Sequence, residues 1–262
     1  MTTVTASPGM ALRFYRYCWL HYRRNWKGTI VISVANPLLF LVAIGAGLGA
    51  VVGSHVDALG GVSYLAFFAP GMLAAASMQN GMIESAFPVS YQRMPGRAYP
   101  VAVSTPLEPV DVLHGHALFM AVKIAIGAAA FCAVMFAFGV AASPLAVLAL
   151  PAAVLTGFAF AMPVAAWAVT LPDVRPVQTL FKWVVMPLYL FSGTFFATTQ
   201  LPEAVQHLVA LTPLWHGVEL CRTLTLGTAT WAGSLTHIAY LTALALAGYL
   251  VARRTYHRNL HP

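Results

Sequence analysis

The sequence predicts an all-α integral membrane protein with six transmembrane helices, an N-terminal interfacial helix and a re-entrant element before the last span. Three observations lead there. From Ile124 to Leu171, forty-eight residues pass without one Asp, Glu, Lys, Arg or His. Residues of the whole chain are 60% hydrophobic and only 8% charged, with mean hydropathy +0.77, against about 25% charged in ordinary globular domains. The basic residues, finally, cluster on one side of the expected spans.

A helix of forty-eight residues would be roughly 72 Å long, more than twice the ~30 Å hydrocarbon core. Two spans must share that run. Gly139 followed by Ser143-Pro144 marks the turn between them. The expected spans are about 28–52, 62–87, 117–140, 145–171, 177–196 and 231–251, with a re-entrant element over about 208–222 that is too short to cross. Residues 1–27 are expected to form a cytoplasmic N-terminus with an amphipathic interfacial helix, residues 28–252 the six-span membrane domain, and residues 253–262 a basic cytoplasmic tail. A cleaved signal has an apolar region of only about 7 to 15 residues, so the 25-residue run Gly28 to Val52 reads as a retained first span. Lys123 stands where it can snorkel to an interface, and Pro187 suggests a kink in the fifth span. The cysteines Cys18, Cys132 and Cys221 lie far apart and signal neither a disulfide framework nor a thiolate metal site.

With six spans both termini share one side. Arg13, Arg16, Arg23, Arg24, Lys27, Arg93, Arg97, Arg175, Arg253, Arg254 and Arg258 fall there, with Lys123 and Lys182 near the same face. Only Arg222 falls on the other. Such an excess marks the cytoplasmic face, so both termini are expected in the cytoplasm, with Leu59 and Ala142 in outward loops. The net charge of +7 is then a matter of topology, and nucleic acid is not expected as a partner.

Energy must come from elsewhere. The chain's lysines follow Trp26, Val122 and Phe181, so no GxxxxGK[ST] loop for nucleotide phosphates exists. A gradient-driven carrier usually places carboxylates or broken helices near the midplane. Glu84 alone is a candidate within the first five spans, and it sits near the cytoplasmic end. A secondary carrier acting without an ATPase therefore remains the alternative, and no Ser/His/Asp or Cys/His grouping supports an intramembrane enzyme.

Four segments carry polar chemistry. Met10 to Lys27 mixes aromatic and basic residues and suits the membrane interface, either as a plain anchor or for docking a partner. The loop Tyr91 to Leu113 contains Thr105-Pro106-Leu107-Glu108, which resembles a helix start; a short helix running to Asp111 and His114 would present charge to a soluble partner. Gln79, Asn80 and Glu84 are costly in hydrocarbon and suggest either a polar mouth of a pathway or a helix-packing patch, Asn80 and Glu84 sharing a face. His216, Glu219 and Arg222 lie on one side of a helix started by Pro213, with Glu219 and Arg222 spaced to pair, which suggests either a lock for a re-entrant element or a contact with substrate. His114-Gly115-His116 lacks the carboxylate pattern of a metal site, and no metal is expected.

The runs YLAFFAPGMLAAASMQNGMIESAFPV (64–89), STPLEPVDVLHGH (104–116) and FSGTFFATTQLPEAVQHLVALTPLWHGVELCRTLTLG (191–227) resemble the membrane subunit of type-2 ABC exporters. The branch most similar is that of the nodulation-factor lipo-oligosaccharide exporter permease, related to the daunorubicin and O-antigen exporter permeases. The resemblance implies a permease dimer, with an identical second subunit, bound to two copies of a cytoplasmic ATPase that holds ATP and Mg. It implies no cofactor in this chain, and a lipid-linked, oligosaccharide or hydrophobic drug-like substrate. A coupling surface would then comprise Arg93, Arg97, Glu108 and Asp111 in the loop between spans two and three.

Overall fold

The computed structural model describes residues 8–43, 62–141 and 143–260. Among them the chain is helical, with no strand. The long helices are α1 (Pro8–Ala43), α2 (Tyr64–Gln92), α4 (Pro109–Ala137), α5 (Ala149–Ala168) and α10 (Trp231–Leu260). A six-residue helix, α3 (Ala98–Val103), joins α2 to α4. Helices α6 (Arg175–Leu180) and α7 (Met186–Phe191) run together through a π turn over Phe181–Val185. Helices α8 (Glu203–Ala210) and α9 (Pro213–Leu226) precede α10. Among the described residues, three stretches are long and apolar enough to cross a bilayer by length and composition alone: Pro109–Ala137, Pro144–Ala168 and Trp231–Leu260.

Local sequence sets the boundaries. Ser63 caps α2 by accepting the Ala66 N–H at 3.3 Å. The 48-residue apolar run breaks where expected: α4 ends at Ala137, Gly139 takes φ +68°, and Ser143 accepts the Leu145 N–H to start a 3₁₀ turn at Pro144. Thr212 caps α9 with Pro213 in its first turn, and Gly227 closes it at φ +77°.

Other boundaries differ from the sequence expectation. No break separates an interfacial helix from a first span, because α1 is continuous through Lys27 and Gly28; residues 44–52, Leu59 and Ala142 lie outside the described residues. The basic tail is the continuation of α10 to Leu260. The helical run at the position expected for a fifth span ends at Phe191 rather than Phe196, since Gly193 (φ +78°) turns the chain back. Its irregularity is the π turn immediately before Pro187, a residue that has no N–H to give an α-helical bond.

Helix α5 is central and packs against α2, α4, α9 and α10. Small residues let the backbones approach. A Cβ at Gly81 would overlap the Gly157 carbonyl, and one at Gly157 would lie 2.6 Å from the Ser77 carbonyl oxygen. On its other flank α2 meets α4 in antiparallel register, with Asn80 against Gly127 and Glu84 against Lys123.

Contacts sort the ends of the bundle. Phe14 meets Tyr99, Tyr99 meets Tyr256, and Arg93 bonds the Leu171 carbonyl, so the start of α1 and the ends of α2, α5 and α10 share one end. At the other end Tyr64 bonds the Phe195 carbonyl and Gly227 touches Ser143. The α8–α9 hairpin dips inward from that second end. Its turn is held by Tyr240, whose hydroxyl donates to the Leu211 carbonyl at 2.6 Å. Tyr240 lies nine residues into α10, roughly 13 Å below Trp231. The hairpin thus folds back alongside the first turns of α10.

If the Gly81–Gly157 crossing sets the α2–α5 distance, Gly81→Val should destabilise the fold by about 1–3 kcal/mol through overpacking. Ile83→Val, on an exposed part of the same helix, should change it by less than about 0.5 kcal/mol. Thermal unfolding of both variants in detergent tests this; equal melting temperatures would contradict it.

Candidate functional site: a cleft and two buried ion pairs

A cleft of about 740 Å³ opens at the basic end between α1, α2, α3 and α4. Aromatic rings are a large part of its wall, among them Phe14, Tyr17, Tyr22, Tyr91, Tyr99 and Phe119. Glu84 and Lys123 line it too, joined by a 2.5 Å ion pair with side chains 16% and 10% exposed. Lys123 does not snorkel outward. Its ammonium points to Glu84 and lies 4.7 Å from the centroid of the Tyr22 ring, where the ring's quadrupole adds attraction. Glu84 therefore both packs helices and faces a cavity. Asn80 abuts Gly127 one turn along, and neither Gln79 nor Asn80 has a hydrogen-bond partner among the described residues.

The expected coupling residues have separate environments. Arg93 ties the end of α2 to the Leu171 carbonyl at 2.5 Å. Arg97 is exposed and lies 4.2 Å over the Tyr91 ring. No helix starts at Pro106. The surface helix lies upstream as α3, and Pro109 begins α4 itself. Glu108 caps α4, and Asp111 is buried in its first turn, where its carboxylate accepts the Glu108 N–H at 3.2 Å. Asp111 therefore cannot present its charge to a soluble partner, and the exposed surface instead runs through Arg97, Val101 and Ser104 to Pro106.

Tyr99, on α3, is fully buried and hydrogen-bonds both His116 Nδ1 and the Tyr256 hydroxyl, the latter at 3.4 Å. Burial, with Tyr256 beside it, pushes the Tyr99 phenol well above its usual range, so it stays protonated as a donor. His114 bonds the Tyr249 hydroxyl at 2.6 Å. The two histidines of the HGH run thus serve different partners, and no metal-binding cluster occurs among the described residues.

At the opposite end Arg222 is 6% exposed. Its guanidinium donates to Glu219 at 2.7 Å, the Gly193 carbonyl at 2.6 Å and the Phe67 carbonyl at 3.2 Å, and stacks 3.9 Å over the Phe67 ring. One side chain so joins α9, α2 and the turn after α7. His216 takes no part in this; its Nδ1 is 2.8 Å from that of His237 and its ring stacks on Tyr240.

Over residues 13–226 the chain matches the family described as ABC-2 type transporter. The chain belongs to that family. It is also similar to Nodulation protein J of Rhizobium leguminosarum bv. viciae, 32% identical over 253 residues that cover 95% of this chain and 94% of the relative. Nodulation protein J of Rhizobium leguminosarum bv. trifolii is 35% identical over 236 residues, 86% of each chain. That of Rhizobium meliloti (strain 1021) is 32% identical over 251 residues, 92% of this chain and 93% of the relative. As an ABC-2 exporter subunit the chain is a multi-pass transport component of a membrane.

Several residues of this ABC-2 subunit that matter structurally escaped sequence reading. Tyr99 and Tyr256 are ordinary aromatics in sequence, 157 residues apart, and nothing local links them. His237 and Tyr240 show only as polar breaks on an apolar span. Lys123 carried a signal, since a lysine in an apolar helix needs a partner, and Glu84 was the available carboxylate.

Arg222→Met should cost about 3–5 kcal/mol, because it leaves Glu219 unpaired and two carbonyls without donors. Glu219→Gln should cost less, since the amide still accepts from Arg222. Melting temperatures and folded yield in detergent give the comparison; a harmless Arg222→Met would remove the lock.

Proposed function

We propose that the chain moves a lipid-linked, oligosaccharide or hydrophobic drug-like substrate across a bacterial cytoplasmic membrane as one of two identical permease subunits. Two copies of a cytoplasmic ATPase bind ATP and Mg and do the work. Six spans cross the bilayer, counting α1, α2, α4, α5, the α6–α7 run and α10, and both termini lie in the cytoplasm. The observation that carries this reading is α3. It is a short helix at the basic end, exposed along Arg97 and Val101, while Tyr99 on its inner side is bonded to α4 and α10. A push on α3 by an ATPase would be passed to two long helices through a buried joint, which suits a permease without a nucleotide loop of its own. The exposed strip replaces Asp111 as the seat of the ATPase, and Glu108 at its edge remains part of it.

Arg97→Glu together with Val101→Glu should weaken co-purification with the ATPase, or leave ATP hydrolysis running without transport in vesicles. Insertion should be unchanged, because both residues are exposed outside the spans. Normal assembly and normal ATP-driven export would remove α3 from this role. Topology is tested separately. A cysteine at Asn259, near the end of α10, should react with an impermeant reagent only after cells are opened; labelling of intact cells would reverse the orientation.

A further inference from the structure

The aromatic cleft holds a carboxylate and an ammonium that cancel each other. The pair is nearly buried, and each partner keeps unused capacity: one oxygen of Glu84 and the remaining protons of Lys123 make no hydrogen bond to another described residue. An uncharged head with hydroxyl or amide groups can bond both without separating them, while its apolar portion lies against the rings of Tyr22 and Phe119. A charged head cannot do the same. Pairing with one partner would strand the other as a lone charge in a poorly solvated site. Three other basic side chains line the cleft, along with the Cys18 thiol and several tyrosine hydroxyls. Arg97 is at the rim over Tyr91, His21 is exposed on α1, and His116 is engaged by Tyr99.

We propose that this cleft binds amphiphiles and that the Glu84–Lys123 pair determines their charge class, admitting uncharged heads and excluding ions. This rests on the reading of the chain as a carrier of amphiphiles, but the binding step needs no ATPase. Removing one partner should reverse the selection. Lys123→Met leaves an unpaired carboxylate that favours cations, and Glu84→Gln leaves an unpaired ammonium that favours anions.

The test uses the purified full chain in lipid nanodiscs with three radiolabelled probes: decyl glucoside, decyltrimethylammonium and decyl phosphate, each corrected for empty discs. Wild type should retain decyl glucoside best. Lys123→Met should gain affinity for decyltrimethylammonium, and Glu84→Gln for decyl phosphate, each by about tenfold or more. The exchanged pair Glu84→Lys with Lys123→Glu keeps the cancellation and should return the preference to decyl glucoside; it also serves where a single variant fails to fold. Unchanged probe ranking in the folded variants, or wild-type retention no better than empty discs, would overturn the proposal. Loss of ATP-driven transport with probe selection intact would instead strike the transport reading.

Discussion

Hydrocarbon admits a charge only when something else in the protein answers it, and this constraint arranges the whole molecule. Most of the basic side chains avoid the difficulty by collecting at one end of the bundle. Lys123, turned inward beside that end, and Arg222, at the opposite end, are buried, and each is met by a carboxylate, Glu84 at 2.5 Å and Glu219 at 2.7 Å. The pairs do different things. Glu84–Lys123 fastens α2 to α4 and forms part of a cavity wall, whereas Arg222 reaches past Glu219 to two backbone carbonyls and holds the α8–α9 hairpin against α2. Both are buried pairs whose desolvation is offset by further contacts, with an aromatic face under each cation.

Between these two charged levels, packing is governed by size. In lipid, helices gain little from hiding apolar surface, so close backbone approach at small residues supplies the attraction. The α2–α5 crossing at Gly81 and Gly157 is one such place, and Gly217 against Thr156 brings α9 to the same central helix. The result is a closely packed middle, with the cleft and α3 at the basic end and the hairpin at the other. Tyr99 connects surface to bundle through hydrogen bonds rather than apolar contact alone, a joint with defined geometry.

Membrane character, the break near Ser143-Pro144, the start of α9 at Pro213 and the spacing of Glu219 with Arg222 were legible because each depends on local sequence: apolar length, capping residues, helical period. The surface helix between α2 and α4 was misplaced for an equally local reason. Thr105-Pro106 has the chemistry of a helix start, yet Glu108-Pro109 has it too, and the second site wins because Asp111 can then cap a 29-residue helix. That choice buries Asp111 and moves the exposed face to Arg97 and Val101. The cleft was not legible at all. It is built from α1, α2, α3 and α4, and no periodicity within one helix reveals which rings from the others will face it.

In the function proposed above, this ABC-2 subunit depends on a separate ATPase for energy. The direct measurement is substrate movement in sealed vesicles holding the permease alone or with the ATPase, each given ATP or an imposed proton gradient. Transport only in vesicles that hold both proteins and ATP is the predicted result. Gradient-driven transport by the permease alone, at a rate that ATP and the ATPase do not change, would contradict it.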